Sequence, residues 1–234
     1  MPHHAILFDL DQTLLNRHDS LIQFCDWQAT QQFGFDPVTT QRYINRFVAL
    51  DANGAVWKDQ VYAQLKPEFG ITDSVQDLVA SYLNDFQNFC IPFPKVPETI
   101  QQLHAQGYRL GLISNGRTPF QQQNFHSLGL NGYFSSIVVS AAVGLRKPDP
   151  AIFLLACQQL ELAPEQCIFI GDNERADIQG AQSVGMNAIR FDPPQSVLSA
   201  TASCASARFN DFSNLIPIIQ ALPISRIKYR ITQD

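Results

Sequence analysis

With 234 residues, 45% of them hydrophobic and 16% charged, the chain can bury a sizeable core as one large domain or as a domain carrying an insertion. Its net charge of −5 argues against nucleic-acid and anionic-membrane partners, and no apolar run nears the roughly 18 residues of a membrane span. Five scattered cysteines (Cys25, Cys90, Cys157, Cys167 and Cys204) include no C-x-x-C pair, and His3, His4, His18, His104 and His126 show no ligand spacing, so neither a disulfide framework nor a zinc site is expected. A basic segment leading into an apolar stretch is absent from the N-terminus, and the expected setting is cytoplasmic.

The first element is an apolar run over 4–8, read as a buried strand. Asp9 and Asp11 end it. In a continuing strand they would point to one face, and like charges that close repel and raise each other's pKa. A packed core gains nothing from such a pair. Metal-assisted chemistry does, with one carboxylate ionised as nucleophile or ligand and its neighbour holding a proton.

From about 16 to 94 the apolar residues recur at helical spacing, most clearly Val75, Leu78, Val79, Tyr82, Leu83 and Phe86, with Asp73 or Ser74 as a cap. Weaker stripes run over 21–27, 43–48 and 61–65. Asp51-Ala52-Asn53-Gly54 marks a turn, and Pro92, Pro94 and Pro97 close the block. Helix and strand then alternate. The pattern predicts helices over 97–105, 118–127, 149–160 and 177–184, strands over 109–113, 136–139, 167–170 and 187–191, and a weak last strand and helix over 205–209 and 213–222. Such alternation means a parallel sheet covered on both faces. The predicted class is α/β, a Rossmann-like parallel-sheet core from 1–15 and 95–234 with an inserted α-helical cap over 16–94.

Ligands of an open parallel sheet bind outside the carboxyl ends of its strands. Asp9, Asp11, Ser114 and Asp172 all stand at such ends, and Lys147 stands at the mouth of a helix. Asp9 and Asp172 suit a hard cation such as Mg²⁺, with Asp177 as a further ligand or a support behind it. Ser114 and the backbone N–H groups of Asn115 and Gly116 can cradle phosphate oxygens. Lys147 balances the negative charge and can bind the same phosphate. A nucleophile, a proton donor and electrostatic clamping are the parts phosphoryl transfer needs.

Asp9-Leu10-Asp11-Gln12-Thr13, Ser114-Asn115, Arg146-Lys147-Pro148-Asp149-Pro150, and Gly171-Asp172-Asn173 with Asp177-Ile178 and Gly180-Ala181 together resemble the haloacid dehalogenase superfamily of aspartate-nucleophile phosphohydrolases. The resemblance covers the whole core, and the family's helical cap fits the insertion. It implies Asp9 as nucleophile and Asp11 as general acid and base. It also implies Mg²⁺ on Asp9, the Asp11 backbone carbonyl and Asp172, and phosphoryl binding by Ser114 and Lys147; Asn115 is expected beside them on the phosphate, and Thr13 and Asp177 as supports behind the site. Gln12 departs from the pattern, since many members have glycine there. The expected substrate is a small phosphorylated metabolite, and Trp57 and Lys58 of the loop 51–58 are the candidate selectors. A phosphomutase, a dehalogenase and a non-catalytic phosphate-binding protein are the rival readings.

Overall fold

The computed structural model describes residues 4–194 and 203–222. His3 and the parts of the expected core over 1–3, 195–202 and 223–234 lie outside the described residues. The strands β1 (Ala5–Phe8), β2 (Arg109–Ser114), β3 (Phe134–Val139), β4 (Cys167–Gly171), β5 (Asn187–Phe191) and β6 (Ala207–Phe209) form one parallel sheet in the order β3-β2-β1-β4-β5-β6. The chain runs outward from β1 through β2 to β3, then returns to the other side of β1. That reversal opens a crevice at the carboxyl ends of β1 and β4.

Central strands of such a sheet are covered on both faces, which is why β1 is apolar at every position. Ala5 and Leu7 point to one face, where α8 (Pro150–Gln159) packs Ile152, Phe153 and Ala156. Ile6 and Phe8 point to the other, against α5 (Val96–Ala105), α6 (Phe120–Ser127) and α10 (Leu215–Ala221). Short helices α7 (Ser140–Val143) and α9 (Gly180–Ser183) complete the alternation.

Between β1 and β2 stand α1 (Arg17–Trp27), α2 (Pro37–Asp51), α3 (Lys58–Phe69) and α4 (Val75–Asp85). Side chains of Asn16, Asp36 and Ser74 accept backbone N–H groups at the starts of α1, α2 and α4, so Ser74 rather than Asp73 is the cap. Phe24, Tyr43, Phe47, Tyr62 and Tyr82 fill the interior of this block. The buried hydroxyls of Tyr43 and Tyr62 both donate to Gln28 Oε1, at 2.6 and 3.1 Å. The two connections to the sheet run side by side. The Asn16 N–H donates to Ile91 O at 2.9 Å, the Phe93 N–H to Leu14 O at 3.0 Å, and Leu15 bridges Pro92.

Boundaries move in physically readable ways. The helix expected over 177–184 starts earlier, as a wide π-type turn over 174–179, because the Asn173 side chain accepts from the N–H groups of Arg175 and Ala176. The helix expected from 118 starts at Phe120, after Pro119. Among the described residues no helix is long and apolar enough to cross a membrane.

Candidate active site

Asp9 follows β1 directly, and its N–H still donates to Ile170 O of β4 at 2.9 Å. The chain then folds back tightly: the N–H groups of Thr13, Leu14 and Leu15 all converge on Leu10 O. Gln12 makes this turn at φ 60°, a left-handed conformation that glycine adopts without penalty. That is the physical meaning of the departure at this position. The Gln12 side chain also donates to Asn53 Oδ1 at 3.0 Å, tying the turn to the helical block.

Lys147 reaches the same point from 138 residues away. Its Nζ lies 2.5 Å from Asp9 Oδ1 and 2.7 Å from Asp177 Oδ1, and the residue is only 3% exposed. The lysine expected at the mouth of a helix is thus buried between two carboxylates. Burial alone would push its pKa down, but Asp177 and Asp9 outweigh that and hold the ammonium charged. Asn115 fixes the lysine's backbone. Its Nδ2 donates to Lys147 O and its Oδ1 accepts from the Lys147 N–H, both at 2.9 Å. The Asn115 side chain thus clamps Lys147 rather than reaching toward a phosphate. The Gly116 N–H, expected in an anion cradle, donates to Ser140 Oγ at 2.9 Å.

Asp172 follows β4, and Asp177 packs back over Gly171, where any Cβ would overlap its carboxylate. Asp9, Asp172 and Asp177 each offer an oxygen, all within 4.8 Å of one another. Asp11 keeps its carboxylate out of this group. Burial, aided by Asp177 and Asp11, pushes Asp9 up to about 7 against the pull of Lys147. Burial, with Asp9 and Asp177, also raises Asp172 well above the usual carboxylate range. Three carboxylates around one lysine carry more negative charge than it can balance. The donor set is all hard oxygen, so these residues fit Mg²⁺.

On the other side of the crevice Ser114 ends β2, 1% exposed. Its Oγ accepts from Gln121 Nε2 at 2.9 Å, and the same amide nitrogen donates to Asp11 Oδ2 at 2.7 Å. The sequence reading missed Gln121. It hides among polar neighbours in Phe120-Gln121-Gln122-Gln123-Asn124, and the signal available was its position in the first turn of the helix after the Ser114 strand. The Thr13 hydroxyl, expected as a support, is buried without a hydrogen-bond partner.

Asp9, Asp11, Gln121, Lys147, Asp172 and Asp177 open into a cavity of about 710 Å³, also lined by Trp57 and Lys58 of the helical block and by the exposed Arg117, Arg146 and Arg175. Trp57 faces Arg117, whose guanidinium carbon lies over its ring. Lys58 does not fit the selecting role expected of it. It is 1% exposed and ion-paired with Asp51, which also binds Arg17 at 2.8 Å.

The haloacid dehalogenase-like hydrolase family model matches residues 6–191. A phosphoglycolate phosphatase of Salmonella typhi is 30% identical over 198 residues, 77% of this chain and 78% of that one. A glyceraldehyde 3-phosphate phosphatase of Methanothermobacter thermautotrophicus is 40% identical over 98 residues, and the match spans only 43% of that protein's length. The structure of the HAD-hydrolase YfnB of Bacillus subtilis, bound to magnesium, superposes with a TM-score of 0.73 over 93% of this chain and 98% of that one, at 21% identity, which shows a shared fold. Sheet order, the aspartates at the ends of β1 and β4, the buried lysine between them and a family match across the whole sheet lead to one conclusion: the chain belongs to the haloacid dehalogenase-like hydrolases.

Proposed function

We propose that the protein is a phosphoric monoester hydrolase acting on a small phosphorylated metabolite, with residues 1–15 and 95–234 carrying the chemistry and 16–94 forming a helical cap. One observation carries this reading: Asp9, Asp11 and Lys147 line one crevice, with Asp9 on a charged lysine and Asp11 on the Gln121 amide that also holds the buried Ser114. Three exposed arginines on the cavity wall suit an anionic substrate despite the net charge of −5. The relatives' names, phosphoglycolate phosphatase among them, support the same class. Five free thiols suit a cytoplasmic setting.

In this mechanism an Asp9 oxygen attacks phosphorus and the ester P–O bond breaks. The leaving alkoxide takes a proton from Asp11. Asp11, now ionised, takes a proton from water, whose oxygen attacks the phosphorus of the Asp9 acyl phosphate. The P–O bond to Asp9 then breaks, and inorganic phosphate and the free carboxylate remain. Lys147 and the Ser114 hydroxyl hold phosphoryl oxygens throughout. Asp9, Asp172 and the Asp11 backbone carbonyl would hold Mg²⁺, with Asp177 behind them. When bound, the ion offsets the clustered negative charge and that of the phosphoryl group. Asp11 argues for an ester substrate over a carbon–halogen bond, whose hydrolysis needs no such acid.

The test is phosphate release from p-nitrophenyl phosphate, with Mg²⁺ and after chelation. We expect release that stops with EDTA, returns with Mg²⁺, and is poorly restored by the larger, more loosely coordinated Ca²⁺. Undiminished release in excess EDTA would overturn the metal's part. No release under any condition would leave a phosphate-binding protein without catalysis. Isomerised sugar phosphate without net phosphate release would indicate a phosphomutase.

A further inference from the structure

We infer that Gln121 is a positioning residue for both proton-handling groups of the site: its one amide nitrogen orients Asp11 as the acid and Ser114 as a phosphoryl donor. The inference rests on the phosphatase reading above and adds to it a residue that no motif contains.

The geometry leaves the amide little choice. A carboxylate only accepts, so the group facing Asp11 Oδ2 at 2.7 Å is the NH₂ of Gln121. Its Oε1 faces the neighbouring Asn124 Nδ2 at 3.5 Å, one turn along α6. Both amide hydrogens are then spent, one on Asp11 Oδ2 and one on Ser114 Oγ at 2.9 Å. The side chain is 3% exposed, so water does not compete freely for these bonds.

Two consequences follow for the proton. The Gln121 N–H on Oδ2 holds the Asp11 carboxyl in one orientation and leaves Oδ1 as the oxygen free to present a proton to the leaving group. Ser114 takes the second amide hydrogen on an Oγ lone pair, which leaves its own hydroxyl hydrogen to donate to a phosphoryl oxygen. An acid swinging between rotamers would spend part of its time away from the leaving oxygen, and fixing it recovers that loss.

Gly116 belongs to the same device. A Cβ built there would stand 2.8 Å from Gln121 Cδ and 2.9 Å from Nε2, closer than side chains approach. The glycine after Ser114-Asn115 is what lets the amide lie across the loop and touch both groups.

The experiment measures kcat/KM for phosphate release from a series of substituted phenyl phosphates, from p-nitrophenyl to unsubstituted phenyl, by the Mg²⁺-loaded enzyme. All members share one shape, so the slope against leaving-group basicity reports how well the leaving oxygen is protonated. Gln121→Met keeps the length and removes the donor. It should lose at least about tenfold more on phenyl phosphate than on p-nitrophenyl phosphate, a fraction of the 10²–10⁴ that a general acid supplies. Any loss through Ser114 is common to both and leaves the slope alone. Gly116→Ala keeps the amide but displaces it, and should steepen the slope in the same sense. Equal losses on every ester in both variants would reduce Gln121 to packing and overturn the inference while the phosphatase reading stands. A wild-type enzyme that hydrolyses none of the esters would overturn both.

Discussion

The guanidinium carbon of Arg117 lies 3.7 Å from the centroid of the Trp57 ring, so a residue from the loop after β2 stacks on one from the helical block, and both line the cavity. A half-exposed contact of this kind is worth about 0.5–1 kcal/mol, enough to favour the pairing and too little to lock it. Whatever binds beyond the phosphoryl group has to meet or part this pair. Trp57→Ala should therefore reorder a panel of phosphorylated metabolites more than it changes the rate on p-nitrophenyl phosphate, because remote contacts supply binding energy while the chemistry stays on the sheet. Arg117→Ala should reorder the panel similarly, and the double variant should add less than the two losses together. Uniform losses on all substrates would mean that the stack is only packing.

The two aspartates at the end of β1 should separate kinetically. Asp9→Asn should abolish turnover while substrate still binds, since the nucleophile is gone. Asp11→Asn keeps the backbone carbonyl and an oxygen that can accept the Gln121 amide. p-Nitrophenolate needs little help to leave, but the water that attacks the acyl phosphate still needs a base. Rapid quench of Asp11→Asn should give a burst of p-nitrophenol near one equivalent, then turnover slower by roughly 10²–10⁴. Mass spectrometry should find the phosphoryl group on the peptide that carries Asp9. A phosphoryl group on Asp11, or no protein adduct, would reverse the assignments.

Lys147→Ala should cost stability as well as rate, because it strands Asp9 and Asp177 beside each other without their cation. Breaking a buried pair from one side costs about 3–5 kcal/mol, which for a chain of this size lowers Tm by roughly 6–20 °C. Mg²⁺ should stabilise this variant more than the wild type, since it becomes the main counter-charge for the carboxylates. Calorimetric melts with and without Mg²⁺ test both points. An unchanged Tm would mean that the lysine is solvated after all.

Asp51 should set a stability limit in acid. Burial raises its pKa, but hydrogen bonds and charge from Arg17, with Lys58 added, outweigh that and hold it below the ordinary carboxylate value. A carboxyl lowered by folding contributes its full stability above the unfolded value of about 3.9 and loses it as pH falls through the folded value. Asp51→Asn removes that contribution. In urea titrations the variant should be less stable than wild type at neutral pH, and the gap should close below about pH 4. A gap that stays constant into acid would show that the pair contributes nothing through charge.

The sequence made the sheet legible because its evidence is local. Strands end in Asp9, Ser114 and Asp172, each with an apolar run before it and a helix after it, and such signals need no knowledge of distant residues. What escaped is what depends on distance. Lys147 looks solvated in its own loop, and its two carboxylate partners come from the end of β1 and from the turn after β4. Lys58 looks free to meet a ligand, yet Asp51 lies across the intervening turn and takes its charge. Gln121 is one of three adjacent glutamines, and only the fold distinguishes it from Gln122 and Gln123. Asn115 was expected for its backbone N–H alone, and its side-chain clamp on Lys147 escaped because it requires the loop before α8 to come alongside β2.

The insertion between β1 and β2 also bears on the order in which a ribosome delivers the sheet. β1 begins at Ala5, yet its neighbours begin at Arg109 and Cys167. At synthesis rates of about 5–20 residues per second, its first partner emerges roughly 5–20 s later. The helices in between make mostly local contacts and can form meanwhile, close to the paired connections at Leu15 and Pro92. An exposed, wholly apolar four-residue strand must wait beside them, a template for unwanted pairing with other nascent chains. The strand that leads into Asp9 is thus made first and enclosed only after the last of its neighbours, β4, has emerged.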